Sequence, residues 1–162
     1  MFIKTRVTDM AFILLLFVTL KVAAVQFEAT LAVDHESSSS SSGGGGGSSS
    51  SIGRAWQRAK DYVSGVINGA KKMQRAYNDM KEANWKNSDK YFHARGNADA
   101  ATHGTGGRHA AKFISDAREA YGFFKGDSAA DRAADQRANE HGRNGGDPNK
   151  YRPKGLPKKY KK

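Results

Sequence analysis

This sequence predicts an all-α protein, a small four-helix bundle followed by an irregular C-terminal tail. Three observations carry that prediction. Apolar residues between 54 and 142 recur every three or four positions, the period of one helix face. The three prolines, Pro148, Pro153 and Pro157, all lie beyond that stretch, so none interrupts a helix inside it. No segment alternates apolar and polar residues convincingly in the manner of a strand.

The first helix is expected over about 54–83. Ala59, Val63, Val66, Ala70, Met73, Tyr77 and Met80 form its stripe, and Trp56, Tyr62 and Ile67 widen it. Seven basic and three acidic residues sit mostly off that stripe, which makes the polar face basic. "NG" at 68–69 is a turn signal, but its flanks keep the helical period, so it reads as a weak point or slight bend. The second helix starts after Ser88, a good N-cap type, with Asp89 near the positive end of the helix dipole. It runs to about 102 with Tyr91, Phe92, Ala94, Ala98 and Ala101 on its apolar side. "GTGG", 104–107, reads as the turn to a third helix over about 108–124, whose stripe is Ala110, Phe113, Ile114, Ala117, Tyr121 and Phe124. "KGD", 125–127, ends it. The fourth helix, 128–141, opens on Ser128 and Asp131 in a capping-box arrangement, and its apolar side is almost all alanine. In the tail, 143–162, glycine and proline stop the helix, and eight basic residues face one acid.

Ahead of this body, residues 1–24 have the plan of a signal peptide. Lys4 and Arg6 precede the apolar run "AFILLLFVTL", and Val22 and Ala24 are small residues at a cleavage position. The run is shorter than the ~20 apolar residues a membrane span needs, so the chain reads as secreted and extracellular. Residues 25–53 read as a disordered leader and linker. The Ser/Gly block at 37–51 has no apolar side chain whose burial could offset its ordering entropy.

The chain carries a formal charge of +11 and no cysteine. The first favours anionic partners; the second excludes disulfides and cysteine-ligated metals. No HExxH, GxSxG, Walker loop or strand-borne GxGxxG is present. The expectation is therefore no catalytic site, no cofactor and no metal motif. A histidine-only metal site assembled in three dimensions stays open at this point. The densest cluster of reactive side chains is "SDKYFHARGN", 88–97, where Asp89 and His93 are four apart and share a helix face, as do Tyr91 and Arg95. With no nucleophile beside the Asp–His pair, it reads as a helical face laced by intrahelix pairs. Basic residues interleave with tyrosine in the tail, but no reader module for nucleic acid is recognisable, and no specific nucleic-acid partner is expected.

The strings "RAYNDMKEAN", "SDKYFHARGNADAA", "GTGGRHAAKFISDARE", "ADRAADQRANEHGRNGGDPNKYRP" and "GLPKKY" occur in this order with few gaps. Together, over about 55–160, they resemble the serum amyloid A family. The resemblance implies a secreted four-helix bundle with its tail wrapped against it, belonging to acute-phase apolipoproteins of innate defence. Such proteins associate with high-density lipoprotein, bind lipid and small hydrophobes such as retinol, bind heparan sulfate, act on leukocytes through cell-surface receptors, self-associate, and form amyloid chiefly through the first helix. Lipid binding in the family lies on the first and third helices, which by position implies Val63, Val66, Ile67, Ala70, Met73, Phe113, Ile114 and Tyr121 here. Three tryptophans of the family are replaced, by Gln74, His109 and His141, and the first helix begins with Trp56 and Tyr62 rather than several phenylalanines. "WKNSDKY" stands where the family has "YIGSDKY", which weakens a laminin-like adhesion role. The Ser/Gly block lies outside the family pattern, and an invertebrate member would fit these departures.

Two functions are thus in competition. One is lipid binding by apolar helix faces, which Val66→Asp or Ile67→Asp should abolish. The other is a polyanion-binding matrix or signalling role through Lys150, Arg152, Lys154, Lys158, Lys159, Lys161 and Lys162, which removal of everything after Gly146 should abolish.

Overall fold

The structure is a computed structural model that describes residues 48–162, with side chains from Ile52. The expected signal peptide, the leader and the linker up to residue 47 lie outside the described residues. Within them are four α-helices, α1 (Ser48–Ala83), α2 (Asp89–Ala101), α3 (Gly104–Lys125) and α4 (Ala129–Arg143), followed by two 3-10 turns, Pro148–Tyr151 and Lys158–Tyr160. The all-α expectation holds, with no strand among the described residues.

α1 begins six residues earlier than the expected start at 54, inside the serine block. Serine costs at most ~0.7 kcal/mol per helical position, and lengthening an existing helix needs no new nucleus. The described residues up to Asp61 belong to one unit, with contacts such as Gln57 Nε2 to Asp61 Oδ1 at 2.9 Å. Tyr62–Lys162 form a second compact unit.

α2 is the centre of that second unit. It packs most extensively on α4, then on α3, and also touches the first 3-10 turn. Its buried residues run continuously from Tyr91 to Ala98 and include His93, Arg95 and Asn97 as well as the expected Tyr91, Phe92, Ala94 and Ala98. A helix buried on every side has no single apolar stripe, so periodicity under-reads it. The reading of 88–97 as a helical face laced by intrahelix pairs is therefore corrected: from Tyr91 onward the stretch is core. Ser88 also departs from expectation. Its hydroxyl does not cap α2 but donates to the Trp85 carbonyl at 2.8 Å, bracing a turn in which Asn84 and Asn87 take positive φ.

The expected "GTGG" turn is instead the first turn of α3. Backbones meet closely here. A Cβ on Gly106 would lie 2.1 Å from the Tyr62 carbonyl oxygen, and one on Gly107 2.1 Å from that of Ala100. The "NG" glycine, Gly69, lies within an unbroken helix and is a contact point against Gly107. α3 stops where "KGD" predicts, with Gly126 left-handed at φ 86° and its N–H bonded to the Gly122 and Phe123 carbonyls. Ser128 caps α4, accepting from Asp131 N–H at 3.0 Å and donating back to its carboxylate at 2.7 Å.

The tail is not a free arm. Leu156 and Tyr160 are buried with Tyr91 and Phe92, backed by Met80, Ala83 and Tyr151. Tyr91 Oη and Arg95 Nη1 both donate to the Tyr160 carbonyl, Arg95 also pairs with Asp79, and Arg152 donates to the Leu156 and Pro157 carbonyls. Two of the tail's lysines face acids on other helices: Lys159 binds Glu82 and Lys162 binds Asp99.

Candidate functional site

The eight residues expected to meet lipid do not share one exposure. Ile67 and Tyr121 are exposed, at 44% and 38%. Val66 is buried, and Val63, Ala70, Met73, Phe113 and Ile114 are half-buried. Val66 lies where α1 meets α3, since its backbone N is 2.8 Å from a Cβ built on Gly106. Val66→Asp would accordingly disturb packing before it reported on lipid, and Ile67→Asp is the usable probe. Among the described residues the most exposed large apolar side chains are two that periodicity placed at the edge of the α3 stripe or off it: Phe124 at 82% and Phe123 at 62%. Their rings meet edge-to-face at 5.7 Å, with the Arg132 guanidinium 5.1 Å from the centre of Phe123 and Lys125 Nζ 5.4 Å from that of Tyr121. The C-terminal end of α3 is thus an aromatic cluster flanked by cations, a composition that suits the boundary between acyl chains and charged headgroups. The "FF" pair was legible as apolar; its lack of cover was not. Trp56 and Trp85 are also exposed.

Two of the three histidine and glutamine replacements lie where water reaches them. Gln74 is exposed and bonds Asn78; His109 is exposed and shares a 3.0 Å hydrogen bond with the Tyr62 hydroxyl. His141 is half-buried against Tyr151, with Nε2 3.1 Å from the Asp147 carbonyl.

The seven basic tail residues divide by partner. Arg152 and Lys159 hold the tail in place, Lys162 pairs with Asp99, and Lys150 lies over the Tyr151 ring. Lys154, Lys158 and Lys161 are exposed and make no ion pair among the described residues. Hydrogen bonds from Lys159 and then Tyr160 hold the Glu82 carboxyl below the usual range, and the Glu82 bond in turn raises the Lys159 ammonium. Deleting the chain after Gly146 would remove core residues as well as charge, so it cannot isolate polyanion binding.

No catalytic dyad forms at Asp89 and His93. Asp89 bonds Lys90 at 2.9 Å, whereas His93 turns into the protein. His93 Nδ1 donates to Asn139 Oδ1 at 3.0 Å and Nε2 accepts from Arg118 Nε at 3.1 Å, which defines a neutral ring. Burial, then the Arg118 charge, pushes its pKa down. Asn97, fully buried, joins α2 to α3 and α4. Its amide donates to Asn139 Oδ1 at 2.8 Å and to Ser115 Oγ at 3.0 Å, and its oxygen accepts from Arg143 Nη1 at 2.8 Å. Sequence reasoning missed Asn97, Ser115, Asn139 and Arg143. The available signal was the alanine and glycine surrounding Asn97 in "HARGNADAA", which leaves α2 no broad polar face. Beside the Trp85 turn lies an open, mostly polar cleft of about 400 Å³ lined by Met80, Asn84, Lys86 and Asp89 among others.

Comparison with known proteins places these features. The sequence model described as Serum amyloid A protein matches residues 60–160. Serum amyloid A-3 protein of Mus musculus is 62% identical over 104 residues, covering 64% of this chain and 85% of that protein. Serum amyloid A-1 protein of Mus musculus is 64% identical over 99 residues, 61% of this chain and 81% of that protein. Serum amyloid A-3 protein of Oryctolagus cuniculus is 67% identical over 92 residues, 57% and 75% respectively.

Proposed function

This chain belongs to the serum amyloid A family, and from that premise we propose that it is a secreted, non-enzymatic acute-phase protein of innate defence. It binds lipid or lipoprotein surfaces through apolar side chains on α1 and α3. The observation that carries this reading is the uncovered aromatic end of α3, Tyr121, Phe123 and Phe124, with Ile67 exposed on α1. Burying a phenylalanine side chain in an apolar phase contributes on the order of 1.5–3 kcal/mol, so two such rings supply useful affinity without unfolding the bundle. Val63, Ala70, Met73, Phe113 and Ile114 are half-covered and add to the contact when the helices loosen at a lipid surface; Val66 follows only if α1 parts from α3. The same rings serve self-association and the capture of retinol-like hydrophobes. Among the described residues no helix is long and apolar enough to cross a membrane, which fits attachment at a surface.

The test is flotation of the protein with zwitterionic vesicles at about 0.15 M salt, where exposed charges are screened beyond roughly 8 Å. Co-flotation that is weakened by Phe123→Ser/Phe124→Ser and by Ile67→Asp, with unchanged stability, supports the proposal. Absence of wild-type flotation refutes it.

A second reading has its own observation. Lys154, Lys158 and Lys161 project from the tail without ion pairs among the described residues. We propose that they contribute, with Lys150, to binding heparan sulfate or a similar polyanion. Arg152, Lys159 and Lys162 act there only at the cost of the contacts that hold the tail. Replacing Lys154, Lys158 and Lys161 by alanine should lower the salt concentration that elutes the protein from heparin; unchanged elution would remove the tail from that role.

A further inference from the structure

α2, α3 and α4 each contribute one potential metal ligand to a single point. The ligand atoms of His93, Glu119 and Asp135 all lie within 4.8 Å of one another. We propose that these three side chains form a binding site for a divalent transition cation, with Zn²⁺ the best match to one imidazole and two carboxylates.

Two further observations support the assignment. The imidazole is already in the tautomer that can ligate: Nδ1–H is held by Asn139 Oδ1, which leaves Nε2 unprotonated, 3.1 Å from Arg118 Nε and 3.6 Å from Asp135 Oδ2. A hydrogen bond to the distal nitrogen is the usual outer partner of a metal-bound histidine. Asn139 is itself fixed, donating to Gln136 Oε1 and accepting from Asn97 Nδ2. Glu119 Oε1 is a buried atom without a hydrogen bond, and Asp135 Oδ1, also buried, is met by an ion pair with Lys90 Nζ at 3.3 Å. A buried carboxylate oxygen without a hydrogen bond, as on Glu119, is costly, and a cation is a group that satisfies it.

Without metal, the cationic role falls to Arg118, whose Nε donates to His93 Nε2. Its guanidinium also lies 5.8 Å from the centre of the Tyr77 ring and is only half-buried, so it has an alternative seat when a metal takes the lone pair. Zinc–ligand bonds of about 2.0–2.2 Å bring ligand atoms to within roughly 3.5 Å of each other. The cluster therefore tightens by about an ångström, chiefly through the half-buried Glu119 side chain. A bound water completes four-coordination. The three ligands are far apart in sequence and on different helices, which is why no spacing motif announces them.

The experiment titrates the metal-free whole chain with Co²⁺, read by visible absorption, and then with Zn²⁺ in competition. Saturable one-to-one uptake is expected, with the intense bands of a four-coordinate site. Glu119→Gln and Asp135→Asn should each weaken affinity by about tenfold or more. Arg118→Ala should tighten it by removing the competing cation. A variant with His35, His103, His109 and His141 changed to alanine should keep it. Circular dichroism confirms folding of each variant, and Glu119→Gln, altered at a half-exposed position, decides the matter if Asp135→Asn does not fold. Wild-type protein that takes up neither metal, or wild-type affinity in Glu119→Gln, overturns the proposal.

Discussion

Asn97→Ala tests whether the polar interior of α2 holds the bundle together. The wild-type side chain is fully buried and bridges α3 through Ser115 and α4 through Asn139 and Arg143. Truncation removes the charge-assisted bond from Arg143, a type worth ~1.5–3 kcal/mol, and leaves the buried guanidinium short of an acceptor. Ser115 Oγ loses its partner as well, for about 1 kcal/mol more. Asn139 Oδ1 keeps His93, so that end costs little. The expected loss is therefore ~2.5–4 kcal/mol, a large share of the ~5–15 kcal/mol that holds a domain of this size folded. Urea unfolding followed by circular dichroism should show a lower midpoint at unchanged slope. Adding Arg143→Met removes the stranded cation and should recover at least ~1 kcal/mol relative to the sum of the single changes. A loss under ~1 kcal/mol for Asn97→Ala, or strict additivity in the pair, would refute the reasoning.

Other consequences follow from the packing and the charges. Gly107→Ala drives a methyl to 2.1 Å from the Ala100 carbonyl oxygen and should destabilise by ~1–3 kcal/mol in urea melts, whereas Gly53→Ala, with open space around it, should raise helicity and cost nothing. Leu156→Ala, at a buried tail position, should lower stability by ~2–4 kcal/mol, and a smaller effect would mean the tail is not part of the core. The Glu82 carboxyl is held low by Lys159 and Tyr160. Its contribution is complete above the ordinary carboxylate pKa and is lost as pH falls through the lowered folded value. Glu82→Gln should therefore flatten the acid limb of the stability–pH curve and leave its slope near neutrality unchanged.

Amphipathic period, glycine breaks and the Ser128 cap made the existence and order of the four helices readable, because those signals are local: each depends on residues within one or two turns. The ends of α3 and α4 followed from the same chemistry. Where helices lie against each other was not readable. Gly69, Gly106 and Gly107 look like turn residues until a second backbone is seen resting on them. His93 and Asn97 look like members of one helical face, and Arg143 like a tail cation, until their partners arrive from other helices.

The candidate surfaces divide in the same way. Residue type alone said that Ile67, Tyr121, Phe123 and Phe124 are apolar and that Lys154, Lys158 and Lys161 are cationic. Tertiary packing decided which remain available: it covered Val66, committed Arg152 and Lys159 to holding the tail, and left the two phenylalanines uncovered. It also brought His93, Glu119 and Asp135 from three helices to one point. The sequence by itself thus determined the fold class, the helix order and the basic character of the chain, since these are properties of segments and sums. Burial, pairing and the meeting of distant side chains belonged to the tertiary structure alone, because each depends on atoms that another part of the chain supplies.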